Sequence, residues 1–347
     1  MTKKIIILLV VTFFLVQGIA FSAGNEVPKK ALKLEKKGDK ALQKSEFDKA
    51  MEYYNEALKI YTENDQIHCK IASVFTAQKN DIEAVNHLEK ALEINPENQM
   101  AGKTLIQKYF ILGNEQLRQN KTDKANEYYL KLLGVSGAEN LGKEFYSKAL
   151  YQLGVNCYII KKYEKSNEHL LKFVKIPGIE TDSAKFFSIA HYLIGMNFVQ
   201  LQDLKKSDEY LLKFLEMNKE DSSSQFVAIA NFIIGSNNYE LLEKEAKKIE
   251  VDASIKKVRD KKIKIAELAK ETKDIEPYLK KAIEIKPDLE DAYKYLGNYY
   301  MRCQNKEEAL KIYKLLIEKF PNSPQASTYK KIVEDIEKII SEEKKDK

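Results

Sequence analysis

Residues 65–98 read DQIHCKIASVFTAQKNDIEAVNHLEKALEINPEN, and this stretch decides the fold. Numbered from 1 to 34, it places Ile71 and Ala72 at positions 7 and 8, Phe75 at 11, Ala84 at 20, Leu88 at 24, Ala91 at 27 and Pro96 at 32. A small residue at position 8 of a first helix lets a second helix approach closely at position 20. The proline ends that second helix, because it has no N–H and clashes with the preceding turn.

Outward from this stretch the same register recurs. Gly38, Ala72, Gly113, Gly154, Gly195, Gly235 and Gly297 succeed one another at intervals of 34, 41, 41, 41, 40 and 62 residues. A period of this length marks a repeat array. Residues 31–64 carry Gly38, Ala50, Tyr54 and Ala57; residues 106–139 carry Leu112, Gly113, Ala125 and Tyr129. Residues 147–180 carry Leu153, Gly154, Ser166 and Leu170; residues 188–221 carry Ile194, Gly195, Ser207 and Leu211. Residues 290–323 carry Leu296, Gly297, Ala309, Tyr313 and Pro321. A sixth unit, 228–289, is split: Ile234 and Gly235 lie in its first helix, and Leu279, Ala282 and Pro287 in its second.

The joint pattern at positions 7, 8, 20, 24 and 27 resembles the tetratricopeptide repeat, a helix–turn–helix unit. The resemblance covers most of residues 31–323. It departs from the family at position 4, where His68, Tyr109, Leu150, His191 and Tyr293 stand in place of the frequent tryptophan, and at Lys37, which occupies an ordinarily apolar position 7. It implies an all-α fold: a right-handed superhelical solenoid of antiparallel helix pairs, about seven units long, closed by a capping helix. A chain with 7 prolines and 13 glycines in 347 residues has few breakers for long helices, which agrees with that architecture. After residue 323, Val333, Ile336, Ile339 and Ile340 form one apolar helical face, expected to cap the last repeat, and a charged tail closes residues 324–347.

The N-terminus reads as a targeting segment. Lys3 and Lys4 precede an apolar run from Ile5 to Val16, and Gly18, Ala20, Ser22, Ala23 and Gly24 follow. That is the layout of a secretory signal peptide. Cleavage after Ser22 is the first choice, leaving 23–30 as a linker; Ser22-Ala23-Gly24 offers a second site, and an uncleaved anchor is the alternative. With no cysteine nearby, lipid anchoring is not expected. The expectation is an exported bacterial protein, periplasmic or secreted, touching a membrane only if the signal stays attached. Cys69, Cys157 and Cys303 fall in different repeats and are expected to be free thiols. Losing Lys3 and Lys4 lowers the formal charge from +6 to about +4, spread along the chain rather than set in a basic stripe with aromatics, so no nucleic-acid partner is expected.

The resemblance places groove-facing side chains near positions 2, 5, 9 and 12 of each first helix. Position 5 is Phe110, Tyr151, Tyr192 and Phe232 in four consecutive units; Tyr158, Met196 and Tyr239 lie around them, and Phe145, Phe186 and Phe226 recur in register just before. These seven residues, Phe110, Tyr151, Tyr158, Tyr192, Met196, Phe232 and Tyr239, are the expected partner-binding set, since apolar surface of that extent marks interaction sites. Two other readings stay open. The rings belong to the core, or the protein fills its own groove by self-association. Glu35, Asp39, Lys294 and Asn298 give the groove polar ends. Lys294 and Asn298 match a pair that some chaperone-binding family members use to hold a terminal carboxylate, but no later repeat supplies the other cations.

Repeat six carries a 28-residue insertion within 240–274, with 11 Lys/Arg and 9 Asp/Glu and no proline or glycine. Apolar residues there recur at helical intervals. They predict that both helices of the unit extend into a protruding hairpin turning near residues 251–254. No metal-ligand, nucleophile or phosphate-loop motif is present, and His68, His87, His169 and His191 all sit at repeat positions 4 or 23. The expectation is a non-enzymatic scaffold without cofactor that binds a protein or peptide partner. A self-assembling structural protein and a carrier of a lipid or apolar small molecule are the alternatives.

Overall fold

The computed structural model describes residues 27–221 and 223–345. The expected signal segment, residues 1–22, lies outside the described residues, as do residues 23–26 of the expected linker and the last two of the tail. Among the described residues all regular structure is helical. The chain divides after Ala149 into two compact units.

In the first unit three hairpins follow one another: α1 (Lys29–Gln43) with α2 (Phe47–Ile60), α3 (Asp65–Ala77) with α4 (Asp81–Ile94), and α5 (Gln99–Arg118) with α6 (Thr122–Gly134), then a single turn, α7 (Ala138–Leu141). The second unit takes in most of α8 (Lys143–Ile159), then α9 (Tyr163–Phe173), the turn α10 (Ile179–Asp182), and the hairpin of α11 (Ala184–Gln200) and α12 (Leu204–Met217). It continues through α13 (Gln225–Val251), α14 (Val258–Glu271), α15 (Glu276–Ile285), α16 (Glu290–Arg302), α17 (Lys306–Lys319) and α18 (Ala326–Lys345).

Six of the hairpins turn in three residues, and the middle one is always left-handed: Ser45, Lys79, Asn120, Lys161, Gln202 and Gln304 have φ between 57° and 60°. In each turn the next N–H reaches back to a carbonyl near the helix end, as from Asn80 to Phe75 at 2.8 Å and from Asp203 to Phe198 at 2.9 Å. This closing bond satisfies a carbonyl that a helix end otherwise leaves open, and glycine usually fills the left-handed position because other residues are strained there. The residue after it starts the second helix. Asn80, Asp203 and Asn305 cap that helix with a side-chain oxygen.

The helices of a hairpin cross at position 8. A Cβ on Gly113 would lie 2.6 Å from a ring carbon of Tyr129; one on Gly195 would lie 2.6 Å from Cγ of Leu211 and 3.2 Å from the Ser207 carbonyl oxygen. Where position 24 is tyrosine, its hydroxyl passes the glycine and donates to the next side chain: Tyr54 to Asp39 at 2.8 Å, Tyr129 to Asn114 at 2.7 Å and Tyr313 to Asn298 at 2.5 Å. At the far end α18 packs Tyr329, Val333 and Ile336 into one cluster with Tyr313 and Leu316 of α17.

The insertion differs from the expected continuous hairpin. α13 does run on for 27 residues to Val251, but the return is a separate helix, α14, and the chain breaks again over residues 272–275 before α15. Gly235 explains the break. It receives Leu279 and the carbonyl of the buried Ile275, so α15 must approach at the angle of an ordinary second helix. Pro277 in its first turn fixes a fresh helix start there. Nor does the long helix stand free: Arg302 of α16 grips Glu243 through two contacts of 2.7 Å and Glu250 through one of 3.1 Å.

Alanine in place of a mid-helix glycine ordinarily stabilises by about 1 kcal/mol. At the crossing the sign should reverse, because Leu211 and the Ser207 carbonyl must both move. Gly195→Ala is expected to lower unfolding stability by about 1–3 kcal/mol in urea melts.

Candidate functional site

Three of the position-5 rings of the first helices, Phe110, Tyr151 and Tyr192, pack against two others each. Tyr151 meets Phe173 from the second helix of its own repeat at 5.4 Å between centroids, and Phe186 from the start of the next first helix at 4.9 Å. Tyr192 repeats the arrangement with Phe214 and Phe226, both at 5.2 Å. In the first unit Phe110 lies 5.9 Å from Tyr129 and 5.4 Å from Phe145. Phe232 and Tyr239 both meet Tyr295 of α16 in edge-to-face contacts, at 5.9 and 5.5 Å. Tilted and edge-on contacts at these distances are the favourable aromatic geometries.

The longer period builds this ladder. α11 starts at Ala184, ahead of repeat position 1 at residue 188, and α13 starts ahead of 228. The added turn carries Phe186 or Phe226 over the preceding position-5 ring. Tyr192 is therefore only 7% exposed and supplies packing, while Phe110, Tyr151, Tyr158, Met196, Phe232 and Tyr239 are half-buried. The open surface belongs to the covering rings, with Phe186 at 42% and Phe226 at 55% exposure. The in-register phenylalanines were visible in the sequence; their position as the outer edge depends on where the helices begin.

The polar ends are engaged within the chain. Lys70 bridges Glu35 at 2.8 Å and Asp39 at 2.6 Å. Lys294 pairs with Asp291, and Asn298 accepts from Tyr313, so the Lys294–Asn298 pair is already occupied. The middle is uncharged: residues 150–159, 186–200 and 225–239 hold no Asp, Glu, Lys or Arg, in a chain whose charged fraction is 32%.

Beneath that face, amides tie successive repeats together. Asn197 donates to Ser166 at 2.9 Å and to Asn167 at 2.8 Å; one repeat on, Asn237 donates to Ser207 at 3.1 Å and to Asp208 at 2.7 Å. Asn238 adds a bond to the other Asp208 oxygen at 2.8 Å. Burial pushes the Asp208 carboxyl up to about 6, against the pull of the two amides. The histidines are packing groups. His68 and His87 share a contact of 3.0 Å between Nδ1 atoms, and burial holds His87 down to about 4. The Cys69 thiol beside them is raised to about 11 by burial, the reverse of an activated nucleophile. All three cysteines are buried and free.

Tetratricopeptide-repeat models match residues 65–98, 189–221 and 291–323. The chain carries tetratricopeptide repeats. These repeats are protein-interaction modules. The matched bounds agree with the register read from the glycines to within one residue. Small glutamine-rich tetratricopeptide repeat-containing protein 2 of Saccharomyces cerevisiae is 29% identical over 112 residues, 32% of this chain and 30% of that protein, so the match spans under a third of its length. Among solved structures, the C-terminal part of a TPR repeat-containing protein from Cytophaga hutchinsonii aligns at TM-score 0.42 and 14% identity, over 84% of this chain and 97% of that one. YrrB, described as a TPR protein with an unusual peptide-binding site, aligns at 0.36 and 16%, over 80% and 97%.

Two outcomes separate the ladder's inner and outer members. Tyr192→Ala should cost about 3–5 kcal/mol of stability, as expected for a buried ring, whereas Phe226→Ser should cost under about 1 kcal/mol; chemical melts distinguish them. Asp208 gives a pH signature. Its raised pKa means that below about 6 the folded chain holds a proton the unfolded chain lacks until its ordinary 3.8, so this group adds stability as pH falls toward 4. Buried His87 acts oppositely below its ordinary 6.5. The difference between the parent and Asp208→Asn should therefore shift in the parent's favour, by about 1 kcal/mol after allowing for solvent screening, between about pH 7 and 5.

Proposed function

We propose that this protein is a non-enzymatic interaction scaffold of the bacterial cell envelope, holding an apolar segment of a partner protein along the first helices of repeats four to six. One observation carries the reading: three successive first helices present half-buried and exposed aromatic side chains with no charge among them. Such a wall favours uncharged, apolar side chains, because an unpaired charge pressed against it loses its hydration without compensation. Large rings also supply contact area at low entropic cost. The export assignment rests on the basic–apolar–small layout of residues 1–24.

The test is photo-crosslinking in cells from a benzophenone side chain at position 226, with position 186 as a second probe. A discrete partner protein captured from both sites, and lost when Ile229→Asp is added at the half-buried position three residues on from Phe226, is the expected result. Crosslinks only to further copies of this chain would make it a self-assembling protein, and crosslinks to neither would remove the groove. N-terminal sequencing of the protein from fractionated cells should find Ala23 as the first residue; an intact Met1 in the cytoplasm would overturn the envelope assignment.

A further inference from the structure

The insertion of repeat six builds a cleft beside the C-terminal half of α13, from Tyr239 to Glu250. It has a volume of about 990 Å³ and opens to solvent between α13, α14, α16 and α18. Val258, Ile265, Met301 and Ile339 line it, with Tyr239 at one end. Val258 is 69% exposed, so part of this apolar lining has no cover. Around it stand Lys256, Lys261, Lys262, Arg302 and Lys306, against the carboxylates of Glu250 and Glu343.

Most of these charges are engaged. Arg302 holds Glu243 and Glu250, Lys306 holds Glu343, and the Lys261 ammonium donates to the Glu250 carbonyl at 2.7 Å. Lys256 and Lys262 have no acidic partner among the described residues, and both belong to the stretch KKVRDKKIK, residues 256–264, with six cations and one carboxylate. That stretch forms the turn into α14 and its first turns, where the helix dipole disfavours cations.

We propose that this cleft is a second binding site, for an acidic peptide segment that is apolar along one side. Its carboxylates meet Lys256 and Lys262, and its apolar side chains cover Val258, Ile265, Met301 and Ile339. The volume lies in the range of clefts that enclose several side chains. An apolar lining and two carboxylates in the wall suit a peptide better than a polyphosphate backbone, and a concave cleft suits it better than a lipid surface. The inference does not depend on the aromatic groove, since of its seven named residues only Tyr239 also lines the cleft.

The test uses the full mature chain and a short synthetic helix with leucines on one face and glutamates on the other, followed by fluorescence anisotropy. Saturable, salt-sensitive binding is expected, weakened about tenfold or more by Lys256→Glu combined with Lys262→Glu. It should also weaken with Val258→Asp and persist in Phe226→Ser, which touches only the groove. Absence of saturable binding, equal binding of a glutamine-for-glutamate peptide, or indifference to the charge reversal would each overturn the proposal. So would tighter binding of a single-stranded oligonucleotide or of phosphatidylglycerol vesicles through the same lysines.

Discussion

Within each hairpin the two helices touch where a residue with no side chain, or one methyl, faces a tyrosine or leucine from the other helix, and the separation set there propagates through the fold. The fully buried Tyr54, Tyr129 and Tyr313 fit under their first helices because Gly38, Gly113 and Gly297 leave room for the ring. That close approach brings the phenol to Asp39, Asn114 and Asn298, so one missing Cβ fixes both an apolar contact and a buried polar bond. Leucine at the same place, opposite Gly154, Gly195 and Gly235, keeps the packing and gives up the polar bond. In those repeats amides and hydroxyls between neighbours take over, through Asn197 and Asn237. Buried polar groups of this kind specify alignment because any slip would leave them unpaired.

The chain uses glycine in an unusual way. Among the described residues only Gly137 and Gly178 of the glycines adopt left-handed backbone, while the crossing glycines lie within helices. Left-handed turns instead go to lysine, glutamine, serine and asparagine. Absence of bulk, rather than backbone freedom, is what most of these glycines contribute, and the turns bear some strain as a result.

The hairpin array was legible in the sequence because its determinants are local: position 8, position 24 and the three-residue turn all lie within one 34-residue unit. The candidate surface was legible only as a list of rings. Whether Tyr192 is covered depends on Phe226, 34 residues on, and on α13 beginning a turn early. Hydrophobicity at position 5 is the same in either case, so pattern alone could not separate core from groove. The same holds for Glu35 and Asp39, whose charge was plain but whose partner, Lys70, comes from another repeat. In the insertion, periodicity found helix but not the break at residues 272–275, which is imposed by the packing of Ile275 and Leu279 on Gly235.

The side-chain ties span nearly constant lengths of chain: Asn95 and Asn98 to Asp65 and Asn218 to Ser188 within a repeat, and Asn197 to Ser166 and Asn167 and Asn237 to Ser207 between neighbouring repeats, each join residues 30 to 33 apart. Each closure therefore carries much the same entropic cost, and none waits for the chain's distant end. A polypeptide emerging in order can complete one repeat and tie it to the last before the next exists. Such local topology favours rapid folding from any starting point along the array. The longest ties gather on α16: the partners of Arg302, Glu243 and Glu250, lie 59 and 52 residues back and that of Tyr295, Glu240, lies 55 back, so repeats six and seven should assemble together as the slowest step of their unit.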